Sequence, residues 1–318
     1  MFQKLLNNFI NGIRGRNNIL SSDIDRLILL QGTLNASLNR QKNKVKTLSE
    51  VEWSAFSQWG EDGIIDWLVE RLPDIPDTFI EFGVGDYRES NTRMLLQLRN
   101  WKGLVLDGSQ ENIDSIKNQN IFWRHTLIAE RAFIDRENIN DLFSRAGFGG
   151  EIGLLSIDID GNDYWVWEAI DIVKPVVVVC EYNAVFGDIY KLTVPYRNNF
   201  QRTKAHFSNL YFGASLPALI DLAQRKGYVF AGTNSNGCNA FFICNEQAPQ
   251  VLKFVEAICS YPSSIRESRD ALGQLTFSHG NDRIRAIQHL PVINIETNAT
   301  RPLEEFGNLY SNKWHGTI

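Results

Sequence analysis

The chain has 318 residues, 43% of them hydrophobic, enough for one substantial α/β domain with appendages or for two small domains. Charged residues make up 22% and the net charge is −5, which argues against a duplex nucleic-acid binder with its basic face. No apolar run approaches the roughly 20 residues that span a bilayer, so no transmembrane segment is expected. Four cysteines, Cys180, Cys238, Cys244 and Cys259, include no CxxC pair and point to free thiols in a cytoplasmic protein.

Leu20, Ile24, Leu27, Gln31, Leu34, Leu38, Gln41, Val45 and Leu48 follow an alternating four-three spacing, the pattern of a coiled-coil seam. Glutamine at two seam positions would set register or oligomer number. The phase runs back through Ile13, Phe9, Leu6 and Phe2, weakened by Gly12 and Gly15. Residues 1–50 therefore read as a helical segment. It either assembles a homo-oligomer, lies on the following domain, or docks its first sixteen residues on a membrane surface.

From residue 51 strands and helices alternate, which implies a mainly parallel sheet. Strands are expected at Thr78–Phe82, Gly103–Asp107, Ile121–Ile128, Gly153–Asp160 and Val176–Asn183. The run Val176–Val179 is β-branched on both faces, as a central strand requires. Helices are expected at Glu61–Arg71, Asn91–Arg99, Gln110–Asn118, Glu137–Ala146 and Tyr164–Ile172. A long irregular stretch then leads to a helix at Ser215–Lys226. Strands Gly227–Ala231 and Asn239–Cys244 flank a six-residue turn and should form an antiparallel hairpin at the sheet edge. Beyond Glu246 only a helix at Pro249–Cys259 is legible. The divisions are 1–50, 51–245 and 246–318.

Glu81-Phe82-Gly83-Val84-Gly85-Asp86 ends the first strand in two glycines, which let a backbone approach a ligand closely. The third glycine of a dinucleotide turn is missing. Glu81 and Asp86 would repel a pyrophosphate and suit an ammonium or sulfonium group. About twenty residues on, Asp107 ends the second strand where an acid accepts from a ribose diol.

These segments, with Ser57–Gly63, Leu155–Asp163 and Pro175–Asn183, resemble the FkbM-like group of class I methyltransferases over roughly residues 55–245. The resemblance departs from the group pattern at Asp160 and at Asp107-Gly108. It implies a Rossmann-like, seven-stranded, mainly parallel sheet with the last strand antiparallel. It also implies S-adenosyl-L-methionine as cofactor, held by Glu81, Gly83, Gly85, Asp86, Asp107 and Asp158, and methyl transfer to a hydroxyl of a sugar or other small metabolite.

Asp158, Asp160, Glu181 and Asn183 fall at the carboxyl ends of neighbouring strands, where open α/β sheets bind ligands. Crowded carboxylates need a proton or a cation, and oxygen ligands suit Mg²⁺, Ca²⁺ or Mn²⁺. Asp160, Glu181 and Asn183 are the candidate ligands of Mg²⁺ or Mn²⁺, an arrangement similar to catechol-type O-methyltransferases. Asp158 or Asp160 could instead act as general base, and His206 is a further candidate. Asp163 is assigned the cap of the next helix. Trp59 and Glu61 either fold over the cofactor or cap the first helix. Two rival readings stand beside the methyltransferase: a nucleotide-sugar transferase using Asp158-Ile159-Asp160 as a DxD motif, and a non-catalytic assembly scaffold.

Overall fold

A computed structural model describes residues 24–315. Seven strands form one sheet: β1 Thr78–Phe82, β2 Lys102–Asp107, β3 Leu127–Arg131, β4 Gly150–Ile157, β5 Val173–Glu181, β7 Tyr228–Thr233 and β8 Asn239–Cys244. Their spatial order is β3-β2-β1-β4-β5-β8-β7, with every pair parallel except β5–β8 and β8–β7. This is the Rossmann-like sheet and closing hairpin expected from the sequence. Strand order reverses between β1 and β4, which opens a crevice at their carboxyl ends.

Helices cover both faces. One core gathers Ile64, Trp67, Phe79, Val105, Leu154 and Val177; the other gathers Ile80, Phe82, Leu106, Leu155, Trp167 and Val178. Alternation along β1 explains the split, since Phe79 and Ile80 point to opposite faces. The first face is packed by α2 (Glu61–Val69), α3 (Arg93–Leu98) and α4 (Gln110–Lys117), the second by α6 (Ile139–Arg145), α7 (Asp163–Ala169) and α9 (Leu216–Arg225).

Several boundaries move. Residues 121–124 are not strand: α5 spans Asn120–Arg124, and β3 starts at Leu127. Ile121 and Phe122 pack into the core from a helical turn, and a short apolar run cannot by itself tell the two states apart. β4 ends at Ile157 and β5 at Glu181, so Asp158, Asp160 and Asn183 lie in the loops beyond. The helix expected at Pro249–Cys259 shortens to α10, Ala248–Leu252. The chain after it is captured by an edge: Val45 N–H donates to Phe254 O, and Glu256 N–H to Val45 O, each at 2.9 Å.

The irregular stretch and the tail, which carry little pattern, build structure together. β6 (Leu192–Thr193) pairs with β9 (Pro291–Asn294), and β9 with β10 (Ala299–Pro302), in a three-stranded antiparallel sheet. Residues 24–40 form a helix, α1. Its inner side carries Ala36 at 1% exposure and Asn39, whose Nδ2 donates to Val51 O at 2.7 Å. The seam positions face outward instead, with Ile24, Leu27, Leu34 and Leu38 between 54% and 66% exposed. The seam ends with the helix, because Val45 and Leu48 are buried in the first of these cores. Its continuation before residue 24 lies outside the described residues.

Gly103 marks the tightest strand contact, since a Cβ there would sit 2.0 Å from the Phe79 ring. Gly103→Ala should therefore destabilise the fold by about 1–3 kcal/mol through overpacking, read as a lower urea midpoint at unchanged slope.

Candidate functional site

Six acids gather near the carboxyl edge of the sheet, and hydrogen bonding divides them. Glu81 at the end of β1 accepts from Ser90 Oγ (2.6 Å), Asn91 N (2.9 Å), Thr92 N (3.1 Å) and Thr92 Oγ1 (2.5 Å). Asp62 accepts the backbone N–H of Ala55, Phe56 and Ser57 at 2.6–2.8 Å. Glu61 takes Trp59 N, Asn234 Nδ2 and Asn239 Nδ2, each at 2.8 Å, which ties α2 to the closing hairpin. Glu61 thus braces the scaffold, and neither it nor Trp59 lines the cavity described below. Asp163 holds Ile159 N (2.8 Å) and Gly161 N (2.9 Å), bending the loop after β4. These four carboxylates are supplied with donors, Asp62 through Oδ2 alone, its Oδ1 being buried without a partner.

Asp158 and Glu181 are not. No hydrogen-bond donor reaches either carboxyl among the described residues, and Glu181 Oε2 is buried without a partner. Desolvation pushes both well above the usual carboxylate range, followed by the charge of Asp160 acting on Asp158 and that of Asp158 acting on Glu181. Asp160, in the left-handed region at φ +54°, brings a third oxygen. One oxygen from each of Asp158, Asp160 and Glu181 lies within 4.8 Å of the others. Asp160 is paired with the Arg202 guanidinium, which also donates to Asn209 O at 2.7 Å and rests over the Phe212 ring. Arg202 opens a short helix, α8 (Arg202–Ala205), in the irregular stretch after β5. Its pairing with Asp160 is made across 42 residues.

The glycine turn meets this loop directly. A Cβ on Gly83 would lie 1.5 Å from the Asp158 carbonyl oxygen, so no other residue fits. At Gly85, φ is +54° and nothing stands within 4 Å of the Cβ position. The Gly85 N–H donates to Asp107 Oδ2 at 2.9 Å, while Asp107 Oδ1 takes Ser109 N (2.8 Å) and Asn112 Nδ2 (2.9 Å). A cavity of about 280 Å³ opens between Gly83, Gly85, Asp107 and Asp158, walled on one side by Ala132, Phe133 and Ile134. Phe133 is 48% exposed, an aromatic face left at a cavity wall. The β3–α6 loop that supplies this wall was not singled out by the sequence pattern; the misplaced third strand hid it.

Not every candidate residue reaches the cavity. Glu81 lies behind the turn, and Asp86 pairs with Arg88 Nε at 3.1 Å. Asn183 is fully engaged with backbone: its Nδ2 donates to Leu210 O and Phe212 O (2.9 Å each), and its Oδ1 accepts from Val185 N (3.0 Å). It shapes the loop after β5. His206 shares a 2.7 Å hydrogen bond with Ser208 and stacks near Phe207 and His289, and it does not line the cavity. Desolvation and then the charge of His289 lower its pKa. Beside the cavity, Asn162 Nδ2 donates to Arg197 O at 2.7 Å, and a polar groove follows, lined by Asp135, Tyr196, Arg197 and Asn199.

No family model matches the chain, and no curated protein sequence does. Solved structures similar to it include the N-terminal domain of EvdMO1 in the presence of SAH and D-fucose. That domain is 11% identical over 58% of this chain and 82% of its own, with a TM-score of 0.38. A putative O-methyltransferase from Klebsiella pneumoniae is 10% identical over 69% of this chain and 90% of its own, also at 0.38. A putative caffeoyl-CoA O-methyltransferase from Staphylococcus aureus is 15% identical over 58% and 82%, again at 0.38. At these scores the likeness assigns no residue and no activity.

Two raised carboxyls give a signed pH effect. A carboxyl whose folded pKa exceeds its unfolded value makes the fold less stable as pH rises above the unfolded value, near 4. Glu181→Gln removes one such group. Its melting temperature in EDTA should exceed that of the parent by a margin that widens from pH 5 to pH 8, and a margin independent of pH would contradict the unpaired-carboxyl picture.

Proposed function

We propose that the protein is an S-adenosylmethionine-dependent O-methyltransferase acting on a hydroxyl of a sugar or glycan-related substrate. The observation that carries this reading is the cavity with an open glycine backbone, a ribose-type acid and an unpaired acid on three sides, and an aromatic wall on the fourth. Gly85 admits a ligand against the backbone, and Asp107 Oδ2 keeps acceptor capacity beyond its one N–H partner, which suits a diol. Phe133 and Ile134 offer a flat apolar face to a purine. Asp158 favours a positive centre and disfavours a pyrophosphate.

S-adenosylmethionine would supply a methyl group already activated on sulfonium, so the chain's task is alignment and proton removal. Asp158 and Glu181 suit the proton, because desolvation raises their affinity for it. The same oxygens with Asp160 fit a divalent ion such as Mg²⁺ or Mn²⁺, whose charge would relieve their repulsion and favour an acceptor alkoxide. Asn183 is left out of this ligand set, and His206 out of the proton path. The adjacent groove of Asp135, Tyr196, Arg197 and Asn199 supports a polyhydroxylated acceptor. In this reading residues 51–245 are the catalytic unit, with 246–318 as a flanking extension. The four unpaired thiols fit the reducing cytoplasm. Ile24, Leu27, Leu34 and Leu38, exposed at seam spacing around Gln31, support pairing of residues 1–50 into a homo-oligomer.

Calorimetric titration with S-adenosylhomocysteine should show binding both in Mg²⁺ and in EDTA, with affinity at least ten-fold weaker in Asp107→Ala. Unchanged affinity in that variant would remove the cofactor assignment. The same cluster of Asp158 and Asp160 keeps a nucleotide-sugar transferase as the rival, and metal-dependent binding of a nucleotide sugar without S-adenosylhomocysteine binding would favour it.

Leu27→Lys with Leu34→Lys should shift the sedimenting species to a monomer without lowering S-adenosylhomocysteine affinity. A parent protein that already sediments as a monomer at micromolar concentration would contradict the pairing.

A further inference from the structure

Two arginines are buried among the described residues, Arg93 and Arg283, and the fold treats them differently. Arg93 donates to Tyr87 O (2.8 Å), Gln119 Oε1 (3.0 Å) and the Asp25 carboxylate (3.2 Å). Arg283 lies on α11 (Asn281–Ile287), which packs beside the Ala184–Phe186 turn after β5, and is 7% exposed. Its guanidinium makes no ion pair and no hydrogen bond among the described residues, and its Nε is sealed from solvent without an acceptor. The acid of this neighbourhood is already spent: Asp188 gives its oxygens to Ser311 N (2.7 Å) and Ser311 Oγ (2.5 Å).

A charge taken out of water persists where it is paired, hydrogen-bonded or used by a ligand. Desolvation lowers the Arg283 pKa; Tyr310 offsets part of that, and the like charge of Arg202 adds to it. No carboxylate stands among these influences. Arg202 spends its own charge on Asp160, so the two guanidiniums together carry one positive charge in excess. A carboxylate matches that single charge, whereas a phosphate dianion brings one negative charge too many. Since Nε alone is sealed, Nη1 and Nη2 form the reachable side of the fork, and that side meets a carboxylate through two parallel hydrogen bonds.

We propose that Arg283, with Arg202 beside it, binds a carboxylate carried by the acceptor, which makes the acceptor a sugar acid. Arg202 joins the two neighbourhoods, because it pairs with Asp160 of the acidic triad while its charge reaches Arg283. That the carboxylate belongs to the acceptor rests on the methyltransferase reading; the carboxylate site itself does not.

The full chain is melted in rising sodium glucuronate, with glucose in matched sodium chloride as the uncharged control. A saturable rise in melting temperature is expected with glucuronate alone. In Arg283→Met the rise should vanish, while the ligand-free protein melts no lower than the parent, since an uncompensated buried charge has been removed. Arg283→Lys keeps the charge without the fork, and should need at least ten-fold more glucuronate for the half-maximal rise. Arg88→Gln, whose parent guanidinium pairs with Asp86, should respond as the parent does. No rise in the parent, an equal rise with glucose, an undiminished response in either Arg283 variant, or an equal loss in Arg88→Gln overturns the proposal. Titration of the same proteins with S-adenosylhomocysteine keeps the two readings apart. Cofactor binding without a glucuronate response sinks the carboxylate site alone; a glucuronate response without cofactor binding upholds the site and removes the methyltransferase reading.

Discussion

Asp158 and Glu181 are two carboxyls held together, with no hydrogen-bond donor supplied to either. Everything around them is arranged so that they stay that way. β4 and β5 are buried on both faces and paired to each other, which fixes the backbone from which both acids project. The loop between them and the glycine turn is held by Asp163, and Gly83 exists to let that loop pass. Nearby, Glu61, Asp62, Glu81 and Asp163 show what this chain does with acids meant for support: each is given two to four donors. A fold that gives four carboxylates two to four donors each and these two none has stored electrostatic free energy at one place. Release of that energy, by a proton or a cation, is the natural event at this edge of the sheet.

The glycine turn and the acid pair also constrain each other. Asp107 reaches back 22 residues to fix the Gly85 N–H, so the open side of the glycine turn is locked by the acid that ends the neighbouring strand. Arg202 ties Asp160 to a different part of the chain, near the sheet made by β6, β9 and β10. The chain around Arg202 packs on residues from beyond position 280, since Phe200, Leu210 and Tyr211 share a core with Ile287, Val292 and Leu303.

Much of this was legible from residue pattern because it rests on local chemistry. β1 was read with both boundaries correct, since a strand ending in Gly-x-Gly leaves few alternatives, and the valine run of β5 identified the central strand. The misreadings share a physical cause, namely that the deciding contacts are distant in sequence. Residues 121–124 turn helical because they cover the core beside α4. The strand pair β6–β9 joins residues a hundred positions apart, each too short to show alternation. The acids at 158, 160 and 181 could be placed at one edge, but which of them had donors could not. Nothing in the sequence distinguishes Glu81, with its Ser90-Asn91-Thr92 grip, from Glu181, which has none.

The bridge at Val45 has a bearing on how the molecule opens. Val45 exchanges two backbone hydrogen bonds with the 254–256 segment, Ala257 N–H donates to Lys46 O, and Thr233 N–H at the end of β7 donates to Cys259 O. Segment 254–259 is thus a seam between the beginning of the described chain and the last strand of the sheet. Loss of any one of these bonds loosens the next, so the amides of Val45, Thr233, Glu256 and Ala257 should share one opening free energy in hydrogen exchange, higher than their peripheral position suggests. These two parts of the seven-stranded body behave as a single cooperative unit, joined by a few short bonds laid over the buried Val45 and Leu48.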